Sequence, residues 1–213
     1  RQKCTFCGAC VVLCPTNAIE IDTNGKRNIG VAESKVFPTL LKEIEVNVSR
    51  CRIECKCVCQ DCCPTEAVRV VLKTKEKTES HEIEQVNVDK ELCIFCGRCE
   101  SACPKGSINV TKPFSGFVGL DAAACPKGCQ VCVDACPAKA ISRGNEGYPS
   151  IDERFCIFCG ACQESCPEKI VSVTRTGILH TDVNSGTWII ALEKLTSRIQ
   201  MVKELSSRAR GKT

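Results

Sequence analysis

One spacing dominates the chain. Cys4, Cys7, Cys10 and Cys14 are followed by Pro15. Cys93, Cys96, Cys99 and Cys103 are followed by Pro104, and Cys156, Cys159, Cys162 and Cys166 by Pro167. All three read C-x2-C-x2-C-x3-C-P. A fourth group, Cys125, Cys129, Cys132 and Cys136 before Pro137, carries one extra residue in its first gap. The second group in chain order is denser: Cys51, Cys55, Cys57, Cys59, Cys62 and Cys63 before Pro64. The five groups contain all 22 cysteines of the 213 residues, a share far above ordinary globular usage. Aromatic residues make up only 4%, too few to organise one large core, because Phe, Tyr and Trp normally supply much of the buried area. At 43% hydrophobic the chain is still too apolar for disorder. The cysteines, and whatever they hold, must organise the fold.

The segments between the groups also recur. A small apolar pair follows the Cys-Pro step in Ala18-Ile19, Ala67-Val68 and Ala140-Ile141. A β-rich run, a polar turn (Asn24-Gly25, or Gly144 to Gly147) and a return strand come next, as in Glu45 to Val48 and Gln85 to Val88. The predicted unit is cysteine loop, one-turn helix, β-hairpin, cysteine loop, which makes the fold class α+β. The fourth Cys is expected to start the helix, with Pro where a missing N–H costs nothing. The Gly after the second Cys (Gly8, Gly97, Gly160) suits a backbone turning close to a bulky ligand; Lys56 and Gln130 replace it in the two variant groups.

Three cysteines at i, i+3 and i+6 on one tight loop can wrap three corners of a cubic iron–sulfur cluster. Disulfides need an oxidising compartment and give no reason for three identical spacings that each end in Pro. Structural zinc usually takes two separated C-x2-C knuckles or Cys/His sets, and a third Cys at the same interval is awkward for it. Thioredoxin-type redox chemistry needs one C-x-x-C, not five groups. His81 and His180 are expected to be surface residues, since the cysteines suffice as ligands.

On these motifs the sequence resembles the bacterial-type [4Fe–4S] ferredoxins, and in multiplicity the archaeal polyferredoxins. The resemblance implies tandem two-cluster domains in which the fourth Cys of each motif ligates the other cluster of the pair. Carried over, one cluster takes Cys125, Cys129, Cys132 and Cys166, and another Cys156, Cys159, Cys162 and Cys136. Cys93, Cys96, Cys99 and Cys63 hold a third. Cys51, Cys55, Cys59 and Cys103 hold a fourth, leaving Cys57 and Cys62 spare; a register using either of those two stays open. Cys4, Cys7, Cys10 and Cys14 are left without a partner motif. Only three residues precede Cys4, and the first residue is not Met. The expectation is therefore a further motif upstream, or a ferredoxin domain inserted inside another through the segment from Gly30 to Leu41. The expected division is a partial repeat at 1–48, ferredoxin domains at 49–112 and 113–180, and a C-terminal helix at 181–213.

Beyond the repeat, the chain is similar to the polyferredoxin subunits of methanogen formylmethanofuran dehydrogenases. That likeness rests on Cys125-Pro126-Lys127-Gly128-Cys129, the crowded second group, and the stretch from Gly177 to Trp188 before a basic helix. It implies about five [4Fe–4S] clusters relaying electrons, without a substrate site on this chain, to a tungsten or molybdenum enzyme in the cytoplasm of an anaerobic archaeon. A hydrogenase or heterodisulfide reductase complex is the other partner implied.

The formal charge of +4 counts every Cys as neutral. Each oxidised cluster with four thiolates carries 2−, so five leave the chain near −6 once the sites' own charge is counted. The basic balance is thus no argument for nucleic acid. Lys73, Lys75 and Lys77 read as a solvated hairpin tip. No run of roughly 18 apolar residues suits a membrane span, and no Gly-rich phosphate loop follows a strand. Trp188, Leu192, Leu195, Ile199, Val202 and Leu205 recur at helical intervals, with Lys203, Arg208, Arg210 and Lys212 at the end. This amphipathic helix packs either on its own last domain or into a partner's groove.

Overall fold

In a computed structural model, residues 8–23, 25–27, 36–74, 81–144, 147–183 and 185–196 are described. Each cysteine group is built around a one-turn helix: α1 (Ala9–Leu13), α2 (Val58–Asp61), α3 (Arg98–Ala102), α4 (Val131–Asp134) and α5 (Ala161–Ser165). Three of these helices start at a left-handed glycine, Gly8, Gly97 or Gly160, with φ of 82°, 81° and 88°, a region glycine enters at little steric cost. In each, the third Cys is the second helical residue and the fourth Cys is the C-cap.

The helix therefore ends at the fourth Cys; it does not begin there as the spacing suggested. Proline decides this. Its ring pushes the preceding residue out of the α region, and Cys14, Cys103 and Cys166 sit at ψ of 117°, 108° and 114°. The Cys-Pro step is a stop signal. The two variant groups reach the same helix by other means. In α4 the N-cap Gln130 has φ −121°, and the left-handed turn moves back to Gly128 (φ 91°). In α2 both Lys56 (φ 53°) and the N-cap Cys57 (φ 55°) are left-handed.

Strands then assemble two modules of one topology. In the first, β3 (Glu43–Val46) pairs antiparallel with β6 (Ile108–Thr111), from Glu43↔Thr111 to Val46↔Ile108, and encloses the hairpin of β4 (Val68–Thr74) and β5 (His81–Val88). In the second, β7 (Phe114–Leu120) pairs with β10 (Val171–Ile178) and encloses the hairpin of β8 (Ile141–Arg143) and β9 (Pro149–Ile151). The expected return strand over Glu45 to Val48 is thus the opening strand of module one, and Val48–Arg50 is a 3-10 turn. Its alternation explains the choice: Ile44 is buried between exposed Glu43 and Glu45, so one face must close on a core, here Ala67, Val68 and Ile108. The strand also lies beyond the expected boundary at 48/49.

Behind group one, β1 (Asp22–Thr23) and β2 (Lys26–Arg27) form a small hairpin. Ala67, Val68, Ala140 and Ile141 are buried, whereas the corresponding Ala18 and Ile19 are exposed. Group one is fastened elsewhere. Leu41 donates its N–H to Leu179 (2.9 Å), and Thr181 donates to Thr39 (3.0 Å). Helix α6 (Gly186–Leu195), capped by the Ser185 hydroxyl on the Trp188 N–H (3.3 Å), lies over both parts. Trp188 and Leu192 are fully buried in a core with Phe37, Phe114, Phe158 and Ile178, against which Ala9, Val12 and Leu13 of α1 also pack. The described part of the C-terminal helix thus packs on its own chain. Ile199, Val202, Leu205, Lys203, Arg208, Arg210 and Lys212 lie outside the described residues. His180 is half-buried, its ring 5.0 Å from that of Trp188; the His81 side chain is outside the described set.

Trp188→Ala should cost roughly 3–5 kcal/mol, the usual cost of emptying a packed aromatic site. A denaturation midpoint unchanged from the parent would refute this role for the helix.

Candidate iron–sulfur centres

The short helices and the pairing of β3 with β6 and β7 with β10 bring cysteines from distant groups together. In module two, Cys136 joins Cys156, Cys159 and Cys162 around a cavity lined by Ala138, Ile141, Ile157 and Phe158. A second cavity collects Cys125, Cys129, Cys132 and Cys166 with Leu120 and Val171. In module one, Cys63 joins Cys93, Cys96 and Cys99 around a third cavity, with Ile44, Val68 and Val110. In all three the fourth Cys of one motif stands among the first three of the other. Cys55, Cys57 and Cys103 are each close enough to act on Cys59 electrostatically, and Cys55 and Cys51 act on Cys57. Of group one, Cys10 and Cys14 are described, while Cys4 and Cys7 lie outside the described residues.

These thiols suit a bulky cationic group. All twenty described cysteines are unbridged. Among the described residues none gather tightly enough to hold a single metal ion; they ring cavities instead. Left as bare thiols they resist ionisation. Burial, then the neighbouring Cys96, Cys62 and Cys93, push Cys99 up to about 12. Burial and crowding likewise push Cys59 and Cys162 up to about 11. An iron core inside each ring removes that penalty, because coordinated thiols are thiolates.

The fourth cysteines are treated differently. Cys14, Cys63, Cys103 and Cys136 each accept an N–H from the residue four positions on, at 3.3–3.4 Å. Burial alone would raise Cys63 and Cys103, but these amides and the side chains of Thr65 and Ser107 outweigh it and lower both. Amides that donate to sulfur are also a means of setting cluster potential. Of the two expected spares, Cys62 donates weakly to the Cys59 carbonyl (3.5 Å).

Sequence reasoning missed three cations. Lys42 donates to Asn17 (2.6 Å), and burial lowers its pKa against the pull of Cys14 and Cys93. Lys112 reaches the carbonyls of Arg154 and Cys156, the latter at 3.3 Å, and is lowered by burial against Cys96 and Cys156. Arg175 donates to Phe158 (2.8 Å), Leu195 (3.0 Å) and Cys159 (3.2 Å). Their signal in the sequence was weak, although Lys112 and Arg175 both stand nine residues after a fourth Cys.

Paired four-cysteine cavities in a pseudo-symmetric α+β module define a two-cluster iron–sulfur protein. The known protein families agree. A 4Fe-4S binding domain matches residues 1–20 and 86–109, and a 4Fe-4S dicluster domain matches residues 124–171. An uncharacterized ferredoxin of Methanocaldococcus jannaschii is 41% identical over 57 residues, 27% of this chain and 74% of that protein. The ferredoxin-type protein NapF of Escherichia coli is 32% identical over 72 residues, 33% of this chain; the match spans 44% of NapF, less than half its length. The polyferredoxin protein MvhB of Methanothermobacter marburgensis is 32% identical over 95 residues, 40% of this chain and 22% of that protein. A chain of the formate dehydrogenase–heterodisulfide reductase–formylmethanofuran dehydrogenase complex of Methanospirillum hungatei superposes with a TM-score of 0.75 at 29% identity, over 92% of this chain and 70% of its own. The chain belongs to the [4Fe–4S] ferredoxins and, with several such repeats in one polypeptide, is a polyferredoxin. No described helix is long and apolar enough to cross a membrane.

Cys166→Ser should disturb the cluster held with Cys125, not the one held with Cys156. Combined with Cys129→Ser it should release no more iron than either change alone. Combined with Cys159→Ser it should release about twice as much. Additivity in the reverse pattern would refute the crossed pairing.

Proposed function

We propose that the chain relays single electrons through about five [4Fe–4S] clusters inside a larger anaerobic redox complex, binding no substrate of its own. The ligand sets are those of the three cavities, together with Cys51, Cys55, Cys59 and Cys103, and with Cys4, Cys7, Cys10 and Cys14 of group one. The modules run over about 43–112 and 113–180. The carrying observation is the joint between the modules. Cys96 of module one and Ala138, Ala140 and Ile157 of module two share one buried apolar cluster, with Cys136, Cys156 and Cys159 packed against it. Clusters held in those two cavities would have this buried apolar contact between them, a setting suited to passing electrons between modules.

For the particular complex we favour formylmethanofuran dehydrogenase, with a tungsten or molybdenum site on another subunit. The superposition with a chain of the Methanospirillum complex over 92% of the length supports that reading. A hydrogenase or heterodisulfide reductase complex is the second reading, favoured by the match to MvhB.

Anaerobic purification with iron and sulfide analysis should find about 20 Fe per chain, with interacting S = 1/2 signals on reduction. One metal per four cysteines and no signal would refute the relay. Cys57→Ser and Cys62→Ser should each retain the full iron content; loss of about four irons from either would place that residue in the ligand set of the second group.

A further inference from the structure

The joint between the modules holds two cations, and they do different work. Arg98 is a clamp: its Nε donates to the Ala138 carbonyl at 2.9 Å, and its guanidinium carbon lies 4.4 Å from the centre of the Phe155 ring. Lys112, just past the end of β6, lies between two cluster cavities. Its Cε stands 3.3 Å from where a Cβ on Gly97 would be, so the stem runs over the Cys96–Gly97 loop of module one. Its ammonium donates to the carbonyl of Cys156 in module two (3.3 Å) and to that of Arg154.

Arg175 holds the equivalent place in module two, nine residues after Cys166 as Lys112 is after Cys103. It passes over the equivalent glycine, its Nη2 3.9 Å from where a Cβ on Gly160 would be. Arg175 then donates to Phe158 and Cys159 of its own module and to Leu195 at the end of α6. Its charge faces one cavity. The charge of Lys112 faces two, because the next module stands where α6 stands for Arg175.

We infer that Lys112 is a shared positioning cation that sets the potentials of the two clusters flanking the joint in step. The inference rests on the relay reading above. Adding an electron makes a cluster more negative, and a nearby fixed cation stabilises that form and raises the reduction potential. A half-buried ammonium is screened less by salt than one on the surface. One charge serving both clusters raises both, so the step between modules stays nearly level. Arg175 raises one cluster alone.

The test is an EPR-monitored redox titration of the cluster-loaded full chain. In Lys112→Met two reducible components should shift to more negative potential and the rest stay in place. Lys112→Arg should restore both, and Arg175→Gln should shift one. A Lys112→Met chain with full iron in which no component, one component, or every component moves would overturn the inference. So would a Lys112→Arg chain that shifts as far as Lys112→Met. If Lys112→Met loads iron poorly, Lys112→Gln keeps a donor to the Cys156 carbonyl but loses the charge; the same two shifts support the inference, and unmoved potentials overturn it. A parent chain without [4Fe–4S] signals would instead overturn the relay itself.

Discussion

The fold depends on rings of buried thiols that are unfavourable by themselves. Cys99, Cys162 and Cys59 are pushed far up by burial and by the thiols beside each, and Cys99 and Cys162 ring cavities with otherwise apolar walls. A cationic iron–sulfur core answers both problems. It fills the interior and converts a cluster of reluctant thiols into coordinated thiolates, so that binding free energy becomes folding free energy. The shortage of aromatic residues follows: outside the Trp188 and Phe114 region, the clusters do the work of a core.

Around each cluster the protein contributes small, fixed electrostatic elements. Left-handed glycines lead into short helices. The fourth cysteine of four groups, Cys14, Cys63, Cys103 and Cys136, takes an amide from four residues on, and in each module a basic side chain crosses the loop of the second motif. Because the modules repeat, these elements repeat, and the differences between copies carry the information. Gly97 is buried at the joint while Gly160 is only half-buried; Lys112 spans to a second module while Arg175 ends on α6. A string of nearly identical units thereby acquires distinct inner and outer clusters.

Local chemistry was legible in the sequence. The spacing C-x2-C-x2-C-x3-C-P announces an iron–sulfur loop, since three ligands on seven residues leave little else that fits, and the small apolar pairs after Cys-Pro mark residues that bury in both modules. The helix position was misread, because proline after the fourth Cys is compatible with the start of one helix or the end of another. Only the backbone at Cys103 and Cys166 shows that it ends one. The strand over Glu43–Val46 was also misplaced: two strands alternating alike cannot be told apart by sequence when their partners lie tens of residues away.

Ligand type, the number of motifs and the α+β class were therefore set by the sequence alone, because they follow from contacts within a few residues. Which groups share a cavity, how the modules abut, and which cations stand between clusters were decided by tertiary structure. Those features arise from pairings such as Val46 with Ile108 and Leu120 with Val171, and from a lysine whose role comes from the neighbouring module. The charge of Lys112 matters for where its ammonium lies, between Cys96 and Cys156, and nothing within its own stretch of chain specifies that place.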